Sequence, residues 1–131
     1  MNKLGRLSDV EMDVMQTIWG LDNPVTVAQL VAIYRDSKGW KTSTLSTMLE
    51  RIISKGFLCK EMKGKVNYYN AVASLEDYQK QEGRNILSSL YQGSIKNFMA
   101  ALVEGGSITD SEVKELQEWF EESVNKEGEG K

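Results

Sequence analysis

Between Gly39 and Gly56, Ser43, Thr44, Thr47, Arg51 and Ser54 recur at three- and four-residue spacing. At 100° per residue they gather on one side of a helix, and Leu45, Met48, Leu49 and Ile52 gather on the other. A face that serves only solubility is usually crowded with Glu and Lys. Short hydroxyls around one guanidinium suit close approach to base edges and phosphates instead. From the pattern alone, an ordinary solvated face remains an equal alternative. Thr42 is the expected N-cap and Gly56 the stop, and Lys41 and Thr42 at the helix start join the candidate contact set. Glu50 beside the stripe is read as solvated or ion-paired, although a carboxylate can accept from a cytosine amine.

A second group of candidates follows. The runs Phe57–Met62 and Val66–Asn70 flank Lys63-Gly64-Lys65, which reads as a tight hairpin turn with glycine at its centre. Lys60, Lys63 and Lys65 make the hairpin basic, and Lys63 and Lys65 at its tip are candidate backbone contacts. Tyr68 and Tyr69 should face opposite sides, and Cys59 reads as a semi-buried strand residue.

The elements that must position these groups are legible upstream. Ser8-Asp9-Val10-Glu11 and Thr26-Val27-Ala28-Gln29 are capping boxes. The first opens a helix that buries Val10, Val14 and Ile18 with Met15 and Trp19 beside them, and ends near Gly20. The second opens a helix with Val27, Leu30, Val31 and Tyr34 on one face, running to about Ser37. Trp19 and Trp40 read as core or helix-anchoring residues. Three helices followed by a basic hairpin is the winged-helix layout.

Other chemistries are poorly supplied. The 131 residues contain no histidine and one cysteine, so the commonest general base and any thiolate cluster for a metal are missing. No Gly-rich phosphate loop or nucleophile elbow occurs. No enzyme, metal or cofactor is expected. No apolar run approaches the roughly eighteen residues a membrane helix needs, and Met1-Asn2-Lys3-Leu4-Gly5-Arg6 does not resemble a secretion signal. Cytoplasmic location without membrane insertion is the expectation.

The net charge of −3 conceals an asymmetry. Residues 1–70 hold ten Lys/Arg against seven Asp/Glu, a net of +3, and residues 71–131 hold six against twelve, a net of −6. This predicts a DNA-reading head over 1–72, an acidic helical module over 73–125 and a frayed tail over 126–131. From Leu75 the chain reads as helix, bent near Gly93, broken at Gly105-Gly106-Ser107 and recapped by Thr109-Asp110-Ser111-Glu112. Leu87, Leu90, Tyr91, Phe98, Leu102, Leu116, Trp119 and Phe120 exceed what two or three short helices can bury among themselves. Pairing with a second copy is the economical solution, at roughly 1.5–3 kcal/mol per side chain buried. A twofold protein would read double-stranded DNA as a palindromic operator.

Leu7–Met15 with Ile18-Trp19, Trp40 with Thr44, Thr47, Leu49 and Arg51, Lys55-Gly56-Phe57, Tyr68-Tyr69 and Gly93–Lys96 together are specific. Through them the chain resembles the penicillinase-repressor (BlaI/MecI/CopY) family over residues 5–125. The resemblance implies a mainly α fold, with a winged helix-turn-helix head and a helical dimerisation module. It also implies repression of resistance or metal-export operons through TACA/TGTA inverted repeats. Residues matching Ser43, Thr44, Thr47 and Arg51 would approach DNA, and those matching Lys63 and Lys65 would lie near its backbone. Many members carry lysine where Ser43 stands. Copper-responsive members end in paired Cys-x-Cys motifs, which Glu127-Gly128-Glu129-Gly130-Lys131 lacks. β-Lactam-responsive members are inactivated by cleavage of an Asn–Phe bond through a membrane sensor-protease, and Gly93-Ser94-Ile95 aligns Ala101-Leu102 with that bond. Two other classes stay in view: an adaptor working through its acidic tail, and a regulator with a ligand pocket near Tyr91 and Trp119.

Overall fold

Ser8 and Glu11 satisfy each other across the first turn of helix α1 (Asp9–Trp19): Glu11 N–H donates to Ser8 Oγ and Ser8 N–H to Glu11 Oε1. Thr26 and Gln29 do the same for α2 (Val27–Tyr34). Helix α3 (Thr42–Ser54) follows, then strands β1 (Leu58–Lys63) and β2 (Val66–Ala71), and helices α4 (Leu75–Tyr91), α5 (Ile95–Glu104) and α6 (Asp110–Glu129). The computed structural model describes residues 3–129.

The chain forms two compact units, Met1–Gly83 and Arg84–Lys131, whose boundary lies inside α4. In the first unit Val14, Met15, Ile18, Leu30, Leu45, Leu49, Ile52 and Phe57 are fully buried. α1, α2 and α3 therefore each commit one stripe to a common core. The face expected of α1 is rotated, however. Val10 is 45% exposed, and Glu11 takes the inward position at 3%. Lys55 Nζ donates to Glu11 Oε1 at 2.5 Å, so the buried carboxylate is paired.

β1 and β2 pair antiparallel from Leu58↔Ala71 to Lys63↔Val66, leaving Gly64-Lys65 as a two-residue turn. Gly64 supplies the positive φ (64°) that such a turn needs at its first position. Val25 adds a bridge on the other edge of β2, exchanging both backbone hydrogen bonds with Tyr69. Tyr69 is buried and Tyr68 faces the opposite side, as the alternation requires. Cys59 is exposed, not semi-buried.

Several expected boundaries shift. α2 ends at Tyr34, where the Lys38 and Gly39 amides both close onto its carbonyl. The α3 N-cap is Lys41, which makes no side-chain cap bond, and Thr42 is the first helical residue. Positive φ at Gln92 and Gly93 separates α4 from α5 outright where only a bend was expected. α6 continues through Glu129, so the tail is helical that far, and Gly130 and Lys131 lie outside the described residues.

The root of α4 belongs to the first unit. Tyr78 is buried, its ring meets Phe57 edge-on at 5.1 Å, and its hydroxyl accepts from Leu7 N–H at 2.9 Å. Gln81 clamps Leu4 from both sides, its carboxamide accepting from the Leu4 N–H and donating to the Leu4 carbonyl.

In the second unit α5 and α6 leave a broad apolar surface. Trp119 is 60% exposed and Phe120 61%, with Leu90 and Leu116 also exposed. Leu87, Tyr91, Phe98 and Leu102 are half-buried, and Tyr91 packs against Phe98 at 5.1 Å. An open groove between α5 and α6 is floored by Ile95, Met99, Leu116, Trp119 and Phe120, without Tyr91.

Candidate nucleic-acid interface

α3 separates its two faces sharply. Leu45, Leu49 and Ile52 have no exposed surface and Met48 very little, while Ser43, Thr44, Thr47 and Arg51 are all exposed. The core stripe fixes the roll of the helix, and the roll decides which side chains face outward. Lys41 and Thr42 are exposed at its start. With no side-chain cap there, the first-turn amides are open to an oxygen from outside.

The hydroxyls are not equivalent. Thr47 Oγ1 donates to the Ser43 carbonyl at 3.0 Å. Its proton is thereby used, so toward solvent it offers lone pairs and a methyl group. Those suit a base amine or a thymine methyl. Ser54 Oγ is likewise tied to the Arg51 carbonyl at 2.6 Å.

On one flank of the stripe, Val10 of α1 joins Ser43, Thr44, Thr47, Met48 and Arg51 to line a shallow open groove. Val10 was assigned to the core by its spacing. Glu11, driven inward by its capping and ion-pair bonds, turns Val10 out to this position. On the other flank Glu50 reaches β1, where Lys60 Nζ donates to Glu50 Oε1 at 2.6 Å. That hydrogen bond to Glu50 holds the Lys60 ammonium above its usual pKa. Lys60 is thus a paired charge, and Glu50 is ion-paired, one of the two states expected of it. At the hairpin, Lys63 lies 5.8 Å from the centre of the Tyr68 ring, and Lys65 is exposed.

Trp40 and Tyr34 brace the start of α3, their rings 4.7 Å apart. The Tyr34 hydroxyl donates to Asp13 Oδ1 at 2.9 Å and lies 2.7 Å from Thr17 Oγ1. Burial, together with the Asp13 carboxylate, raises the Tyr34 pKa. Trp19 donates its indole N–H to the Ala73 carbonyl at 2.9 Å. Both tryptophans act as anchors. The roles of Tyr78 and Gln81 were not legible in the sequence, because their partners Leu7 and Leu4 are more than seventy residues away.

A three-helix head that presents a hydroxyl–guanidinium stripe beside a basic two-stranded wing is a winged-helix DNA-binding domain. Residues 7–122 match the penicillinase repressor family, and the chain belongs to it. That family consists of DNA-binding transcriptional repressors, not enzymes. The chain is 27% identical to the penicillinase repressor of Bacillus licheniformis over 126 residues, covering 96% of this chain and 98% of that one. It is 23% identical to the methicillin resistance regulatory protein MecI of Staphylococcus aureus (strain N315) over 116 residues, covering 88% and 94%. Among solved structures it is similar to the DNA-binding domain of the repressor BlaI, determined in solution. The TM-score is 0.51 and the identity 31%, covering 60% of this chain and 94% of that one. No helix among the described residues is long and apolar enough to cross a membrane.

Proposed function

We propose that the chain is a homodimeric repressor that grips an inverted-repeat operator and controls a resistance or stress operon. The observation that carries this reading is the outward stripe of Ser43, Thr44, Thr47 and Arg51, on a helix whose opposite face is locked in the core. α3 enters the major groove, where Arg51 donates to a base edge and Thr47 accepts or packs on a methyl. Lys41 and Thr42 meet the backbone at the helix start, and Lys63 and Lys65 meet it from the wing.

The dimer rests on the exposed Leu90, Leu116, Trp119 and Phe120 with their half-buried neighbours. A patch of that kind is uncommon on a monomer. For release, the resemblance supports cleavage of Ala101–Leu102 by a membrane sensor-protease. The bond lies within α5, where the Ala101 carbonyl accepts from Gly105 N–H, so that helix must open before a protease can seat it. Gel-shift titration against a duplex bearing a TACA/TGTA inverted repeat tests the core of the reading. Binding should be tight at low salt and weaken steeply as salt rises. No binding to any inverted repeat at low salt would refute it.

A further inference from the structure

On the helical projection Glu50 sits at the edge of the exposed stripe of α3, one turn beyond Thr47 and on the flank away from Arg51. A bare carboxylate there would face phosphates and weaken every DNA complex. It is not bare, because Lys60 from β1 donates to it at 2.6 Å. The pairing has a second consequence. Lys60 lies on the same hairpin as Lys63 and Lys65, and the positive charge it could offer a phosphate is spent on Glu50.

We propose that Glu50 is a restraint on sequence-independent affinity: by engaging Lys60 it withholds one wing cation from the DNA backbone. The inference rests on the operator-binding reading above. Both side chains are substantially exposed, so the pair is shaped by solvent and salt rather than by packing, and either member can be changed without disturbing the core. The raised pKa of Lys60 agrees with an ammonium held by its acid partner.

The test compares wild type, Glu50→Gln, Lys60→Met and the double variant. Each is titrated with the inverted-repeat duplex and with a random-sequence duplex of equal length, across a salt series. Glu50→Gln should bind both duplexes several-fold more tightly. Its salt dependence should steepen by about 0.9 in log K per log salt, the signature of one added phosphate contact. The ratio of operator to random affinity should stay unchanged. Lys60→Met should weaken both duplexes by exposing the Glu50 charge, and the double variant should return close to wild type. An unchanged slope in Glu50→Gln, with wild type still binding, overturns the inference alone. Loss of operator binding by Glu50→Gln with random binding intact also overturns it, by making Glu50 a base reader. Failure of wild type to bind either duplex at low salt overturns the repressor reading and the inference with it.

Discussion

Lys55, at the C-cap of α3, donates to Glu11, in the first turn of α1, across 2.5 Å, and Glu11 is almost wholly buried. One ion pair therefore joins the end of α3 to the start of α1. Burial pushes the Glu11 carboxyl up. The hydrogen bond from Lys55 and those from the Ser8 amide and hydroxyl outweigh it and leave the pKa below the ordinary 4.5.

Lys55→Met should cost about 3 kcal/mol at neutral pH, the lower end for breaking a buried pair, since the Lys55 side chain is 30% exposed. Glu11 titrates below its unfolded value, so the stability it contributes is full above about pH 4.5 and lost as pH falls through the folded value. Urea unfolding at pH 7 and pH 3 checks this. The gap between wild type and Lys55→Met should narrow at the lower pH, and a constant gap would count against the assignment.

A fragment ending at residue 72 should be less stable than one ending at residue 83 by about 3 kcal/mol or more. It loses the Tyr78 ring from Phe57, the acceptor for Leu7 N–H and the Gln81 clamp on Leu4. Thermal unfolding of the two fragments measures the difference. Equal stability would mean that the root of α4 is dispensable to the head.

Arg51→Ala should cost about 1–3 kcal/mol in operator binding and relax sequence preference, and Lys63→Ala should weaken all sequences alike with a salt slope shallower by about 1. Gel shifts on operator and scrambled duplexes separate the two roles. Identical losses on both duplexes for both variants would refute the division of labour.

Trp119→Ala should weaken the dimer by roughly 2 kcal/mol or more, about a thirty-fold rise in the dissociation constant, as expected for a central aromatic contact. Sedimentation of wild type and variant over a concentration series is the measurement. A wild type that stays monomeric at high concentration would remove the dimer from the reading.

The capping boxes at Ser8 and Thr26, the core stripe of α3 and the glycine turn of the wing were legible because their partners lie within four residues along the chain. Spacing of the apolar residues then told which side of α3 faces out. Val10 misled for the same reason: periodicity counts it as core, but a nearby carboxylate with a long-range partner took the inward position. The division inside α4 was illegible too, since nothing local distinguishes Tyr78 and Gln81 from a solvated turn of helix.

Sequence alone determined the periodicities, the caps and the family pattern, all of which are set by local backbone and side-chain chemistry and survive without a fold. Only the tertiary structure decided what depends on distant segments meeting. Lys55 buries Glu11 and turns Val10 outward, Tyr78 and Gln81 draw the root of α4 onto the head, and Glu50 spends the charge of Lys60. Each is an electrostatic or hydrogen-bonding choice among several available partners, and packing of the core selects which partner comes within reach.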